Sequence, residues 1–240
     1  MPTLRSATPR ARSKPPKRGR PVRRPAAPLE LRGRILDCAE ALFALHGLHG
    51  VTIREVARSA SVDSALVHYY FDTKKNLFEA VFERRSEVVN IERIRSMDGY
   101  ARKAGEGITI EGCVAAFLEP ILRHSLSGDA GWKNYFRLLA LVNNSPEWGG
   151  KMMTRHFDPV IHRLIDLLRL CMPHASEENL FWSYHFFSGA LTLSLSETGR
   201  IDRLSGGICL SADMQSLHER MVPFIAAGFR RVCQTDPQTE

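Results

Sequence analysis

At 240 residues, 44% apolar and 25% charged, the chain has room for one large domain or two of moderate size, and the composition of a globular protein with a sizeable core. Its longest apolar run, around Phe186 to Leu195, is broken by Ser188, Thr192 and Ser194 and is too short to cross a bilayer, and no apolar stretch follows the basic N-terminus to form a signal peptide; no membrane partner is expected. The five cysteines are scattered, odd in number and without CxxC spacing, which points to a reducing compartment and away from a disulfide frame or a structural zinc; neither a metal nor a cofactor is expected.

The net charge of +7 is unevenly placed. Residues 1–28 carry nine basic side chains and no acid, so the remainder sets 24 basic against 26 acidic residues and is slightly negative. Rich in Pro, Ala, Ser and Arg, this arm cannot bury a core and is expected to be disordered. Within it, Pro16-Lys17-Arg18-Gly19-Arg20-Pro21 resembles an AT-hook. Such a hook lays Arg18 and Arg20 in a narrow A·T minor groove, and Gly19 lets the backbone approach the groove floor. A plain basic arm that binds phosphates without sequence preference is the alternative.

Leu29 to Gly47 opens the folded part, with Ile35, Leu36, Ala39, Leu42, Phe43 and His46 at helical spacing and Gly47 as the stop. Thr52-Ile53-Arg54-Glu55 is a capping box that starts a second helix. Ala60-Ser61-Val62 reads as a tight turn, Asp63 as the cap of a helix from Ser64 to Phe71, and Thr73 as the cap of a longer helix from Lys74. Two short helices joined by a turn of a few residues make a helix-turn-helix, whose second member enters the major groove of DNA.

The phrases ILDCAEALFALHG and VTIREVARSASVDSALVHYYFDTKKNLFEAVF resemble the tetracycline-repressor (TetR) family of bacterial regulators, with the spacing preserved from Leu29 to Arg84. The resemblance implies an all-α homodimer: a three-helix DNA-binding head over 29–84 and a helical ligand-binding and dimerisation domain over 85–240. It implies that Thr52, His68, Tyr69, Tyr70 and Lys74 contact phosphates, that Arg54 reaches a base edge, and that Ser64, Ala65 and Leu66 face the groove floor. For Tyr70, a place in the core is an equal alternative. Two positions depart from the pattern. Ser61 stands where the turn usually has glycine, which predicts local strain, and His68 replaces the commoner tyrosine, which predicts a pH-dependent contact.

Beyond Val88, helices are expected over Ile110–Ser127, Gly131–Asn144, Glu147–Met172, Ser176–Thr198 and Ala212–Cys233, with a loop or helix end at Asp98–Gly107, a break at Pro159 and a kink at Pro223. Phe117, Ile121, Phe136, Leu139, Phe157, Ile161 and Leu164 are candidates to line an effector cavity, with simple core packing as the alternative for each. Trp182, Phe186, Gly189, Ala190 and Leu193 on one helix, with Met221, Ile225 and Phe229 on the last, are candidates for a four-helix dimer interface. WKNYFRLLA, FDPVIHRLIDLL and SGALTLSLSETGRIDRLSGG are similar to a branch that includes regulators of fatty-acid and acyl-CoA metabolism, which implies an apolar effector.

No GxGxxG, P-loop, G-x-S-x-G or paired metal-binding histidines occur, so no enzyme is expected. The leading expectation is a cytoplasmic, nucleoid-associated repressor released from a palindromic operator by a small apolar effector; an architectural DNA-binding protein without a switch is the alternative. The segment 29–84 holds seven basic and eight acidic residues, so its attraction for DNA by charge alone is weak. Deleting residues 1–28 should therefore weaken DNA binding and flatten the plot of log affinity against log salt by about 0.9 for each phosphate contact the arm supplies. A salt titration that leaves this slope unchanged in the truncated protein refutes the role of the arm.

Overall fold

The computed structural model describes residues 28–146 and 149–234, and every regular element among them is helical. The helices are α1 (Pro28–His46), α2 (Ile53–Ala60), α3 (Ser64–Phe71), α4 (Lys74–Ala104), α5 (Ile110–Leu126), α6 (Ala130–Asn143), α7 (Gly149–Cys171), α8 (Glu177–Leu195), the single turn α9 (Arg200–Leu204) and α10 (Met214–Cys233). Arg18 and Arg20 lie outside the described residues. Helix α1 begins at Pro28, one residue inside the arm as drawn from the sequence; proline suits a first helical turn because its missing N–H has no partner there in any case. A truncation that removes only the arm therefore ends at residue 27.

The caps that start the head's helices are made as the sequence predicts. Thr52 and Glu55 form a reciprocal capping box, Asp63 accepts from the amide of Ala65 (2.7 Å), and Thr73 accepts from the amide of Asn76 (3.1 Å). Ser61 ends α2 at φ 53° and ψ 48°, the left-handed conformation that a side chain disfavours. Beneath these turns Ile35, Phe43, Val56, Val67, Phe71, Leu77 and Phe78 pack in one buried cluster, with the rings of Phe43 and Phe78 edge to face at 5.1 Å.

Helix α4 differs most from expectation. It runs unbroken for 31 residues, about 46 Å, across residues 84–88, and ends at Ala104, inside the stretch Asp98–Gly107 where a loop or helix end is expected; Asp98, in its last turns, pairs with Arg163 of α7 at 2.7 Å. The expected break at Pro159 does not occur, because α7 is continuous across it. A proline removes the donor to the carbonyl four residues back and pushes that turn open. Helix α4 supplies donors beside two such gaps. Asn90 Nδ2 donates to the carbonyl of His156, three residues before Pro159 (2.8 Å), and Arg93 Nε donates to the carbonyl of Phe117, three residues before Pro120 of α5 (3.2 Å).

Near the other end of α4 lies a buried clamp. Glu40 of α1, 2% exposed, accepts from Arg84 Nη2 at 2.8 Å and Arg85 Nε at 2.7 Å. Arg84 also reaches Asp37, and Arg85 reaches Asp129, the N-cap of α6. The guanidinium of Arg85 covers the Trp132 ring at 4.9 Å, and it fills the space that a Cβ on Gly131 would need. Helices α1, α4 and α6 are thus tied through Arg85, which bridges Glu40 and Asp129. Glu40→Ala should leave two cations half-paired and destabilise the fold by about 3–5 kcal/mol, whereas Glu40→Gln should lose less by keeping an acceptor. Urea unfolding of both variants measures this, and a change below about 1 kcal/mol for Glu40→Ala would dismiss the clamp.

Candidate nucleic-acid interface

Helix α3 has two faces set by its own spacing. Val67 and Phe71, four apart, point into the head, while Ala65, His68 and Tyr69 are exposed and Ser64 and Leu66 are half-buried beside them. Tyr69 is 81% exposed, an unusual state for a large ring, and meets Tyr70 edge to face at 5.3 Å. With Arg54, exposed at the start of α2 and without an ion pair among the described residues, these side chains form one outward surface.

Several of the expected phosphate contacts already have partners. The hydroxyl of Thr52 donates to Glu55 Oε2 at 2.8 Å, so its one donor is used within the capping box. The bonds from the Thr52 backbone and hydroxyl also hold the Glu55 carboxyl below its ordinary range, which keeps a negative charge next to Thr52. Tyr70 is half-buried and its hydroxyl donates to the carbonyl of Pro28 at 3.1 Å, tying α3 to the start of α1. In this conformation Thr52 and Tyr70 are fastenings of the head rather than free phosphate donors. Lys74 Nζ donates to the carbonyl of Val51 at 2.9 Å, and an ammonium has two further donors to offer. Nδ1 of His68 lies 2.8 Å from the carbonyl of Asp72 and so carries the hydrogen; its Nε2 can donate to a phosphate only when the ring is protonated.

The candidates for the dimer face divide. On α8, Trp182, Phe186, Gly189 and Leu193 are exposed and Ala190 is half-buried, with the Trp182 and Phe186 rings stacked at 5.9 Å. On α10, Met221, Ile225 and Phe229 are buried against the chain's own core, which corrects their assignment to an interface. The helix is apolar on two sides, and this stripe faces α5 and α8, while Phe224 (72% exposed) and Gly228 face outward.

The seven cavity candidates are all buried. Phe157 and Ile161 line a cavity of about 510 Å³ between α6, α7 and α8, and Ile121 borders a narrow slit under α10. Phe117, Phe136, Leu139 and Leu164 are instead packed in the core; Phe117 lies against Phe187 at 5.4 Å and Phe136 on Trp132 at 5.9 Å. The cavity wall is mixed, with Met153 and Phe181 beside Asn143, Asp158, His162, Tyr184 and His185. A wider groove of about 790 Å³ opens between the end of α1 and helices α6 and α8. One residue was missed in the sequence. Arg93 is 3% exposed in mid-α4, and the available signal was its register, four residues from both Val89 and Met97 on the apolar stripe.

Residues 35–81 match the family model for bacterial regulatory proteins of the tetR family, and residues 115–228 match that for the tetracyclin repressor-like C-terminal domain. The biofilm operon icaADBC HTH-type negative transcriptional regulator IcaR of Staphylococcus aureus (strain Newman) is 35% identical over 49 residues; the match spans 20% of this chain and only 26% of that relative's length. Among solved structures, SmeT, the repressor of the Stenotrophomonas maltophilia multidrug efflux pump SmeDEF, aligns over 82% of this chain and 88% of its own at 17% identity with a TM-score of 0.56. A TetR-like transcriptional regulator from Rhodococcus sp. RHA1 aligns over 86% of this chain and 100% of its own at 18% identity with a TM-score of 0.53. These two structures share the fold. With both family models matched, the chain belongs to the TetR family of bacterial transcriptional regulators, which bind DNA operators and small-molecule effectors and are not enzymes.

Proposed function

We propose that this regulator is a homodimeric repressor that an effector with an apolar body, such as a fatty acid or acyl-CoA, releases from a palindromic operator. The observation that carries the reading is the single helix α4, which begins in the reading head, holds the Glu40 clamp through Arg84 and Arg85, and reaches α5 and α7 through Arg93 and Asn90. An effector seated in the α6–α7–α8 cavity pushes on helices that α4 already grips. Two outward faces of α8 and α10, presenting Trp182, Phe186, Leu193 and Phe224, join two copies about a twofold axis. The paired α3 helices then read half-sites one DNA turn or more apart. An effector that prefers the state with misaligned heads shifts the population; moving it from 1:99 to 99:1 takes a preference of about 10⁴-fold. The free cysteines at positions 38, 113, 171, 209 and 233 suit a reducing cytoplasm, and the nucleoid is the site of action.

Selection of binding sites from random DNA should return a twofold-symmetric consensus. Arg54→Ala should weaken binding to it by about 1–3 kcal/mol and relax the preference at one base pair per half-site. Sequence-independent coating that no apolar compound reverses would favour an architectural protein. Separately, Phe186→Asp combined with Phe224→Asp should yield a folded monomer in sedimentation runs and abolish binding to the full operator. A dimer that persists in this double variant places the interface elsewhere.

A further inference from the structure

All five thiols are free, and two of them meet. The Sγ atoms of Cys113 and Cys171 lie 3.9 Å apart, in van der Waals contact, although 58 residues separate them in the chain. Cys113 is buried in the first turn of α5, and Cys171 is half-buried as the last residue of α7. The other three have no thiol partner among the described residues; Cys233 faces the hydroxyl of Ser183 at 3.8 Å, and Cys209 is exposed. A disulfide is about 2.05 Å long, so the two sulfurs of the pair need to close by about 2 Å. Both sit near helix ends, where a chain shifts most cheaply. Helix α7 stops at Cys171 ahead of Pro173, which disfavours helical backbone in the residue before it.

We propose that Cys113 and Cys171 are a reversible oxidation site, at which a hydroperoxide reaching the half-buried Cys171 converts the pair to a disulfide that ties the start of α5 to the end of α7. Cys171 is the entry thiol because it is the one that solvent reaches, and the S–H of Cys113 can donate to its thiolate. That thiolate attacks a peroxide oxygen and the O–O bond breaks. Cys171 becomes a sulfenic acid, and the departing oxygen takes up the proton that the thiol gave. Cys113 Sγ then attacks the sulfenic sulfur, the S–O bond breaks, and hydroxide leaves with the Cys113 proton as water. Two thiols lose two electrons and two protons in all, and one hydroperoxide is reduced to an alcohol and a water. The second step is intramolecular and outruns a second peroxide. Burial pushes both thiols up, so the first step is slow at neutral pH and the pair stays reduced except under sustained oxidant. A transient bond of this kind is the sort that a reducing compartment allows.

The test exposes the full chain to excess hydrogen peroxide, with Cys209→Ser as the parent so that the exposed thiol does not link one chain to another. The parent should lose two titratable thiols and the mass of two hydrogens. Its digest should yield one linked peptide pair carrying Cys113 and Cys171, and dithiothreitol should restore both thiols. Removing the resolving thiol with Cys113→Ala should strand Cys171 as a sulfenic acid, which dimedone captures at least about tenfold more than in the parent. Removing the entry thiol with Cys171→Ala should leave Cys113 unreacted, because it is buried. Should either variant fail to fold, the peptide map of the parent decides alone. Both thiols intact after prolonged exposure, a link between any other pair, or sulfinic or sulfonic acid at Cys171 while Cys113 is present overturns the proposal. So does dimedone capture at Cys113 in the Cys171→Ala chain.

Discussion

A single buried carboxylate decides how the reading head sits on the rest of the molecule. Glu40 is buried on α1, and the two cations it meets come from consecutive residues of α4. Each of those arginines is shared with a second acid, Asp37 on α1 or Asp129 at the start of α6, so the charge is spread over three helices. The geometry is tight enough that Gly131 has no room for a side chain, because Arg85 occupies the position of its Cβ. Rotating the head relative to α4 or α6 therefore separates charges away from water, which restricts motion to arrangements that keep them paired.

Farther along α4 the same helix meets helices weakened by proline. Pro120 and Pro159 each open a turn, and α4 places Arg93 and Asn90, three residues apart on its own surface, against the carbonyls beside those turns. The prolines thus do not end α5 or α7. They create acceptors that another helix can occupy.

This distribution explains which features were legible in the sequence. Local chemistry was: Thr52, Asp63 and Thr73 cap helices through bonds that span two or three residues, so their roles follow from spacing alone. The left-handed turn at Ser61 was legible from the resemblance, which puts glycine at that position. Long-range choices were not. The last helix is apolar on two sides, and only packing against α5 and α8 shows that Met221, Ile225 and Phe229 face inward while Phe224 faces out. Pro159 signals a break in isolation but sits in a helix supported by its neighbours. Thr52 and Tyr70 carry the residue types of phosphate contacts, yet their donors are taken by Glu55 and Pro28, the latter 42 residues away in the chain.

Arg84 and Arg93 are nine residues apart on α4, about 14 Å along its axis. Arg93 is the more deeply buried of the two, and Arg84 has carboxylates where Arg93 has only dipoles and a ring. A buried charge held by dipoles alone is the less satisfied of the two. Because α4 is one unbroken helix, the residues that hold α5 and α7 and those that hold α1 belong to a single element.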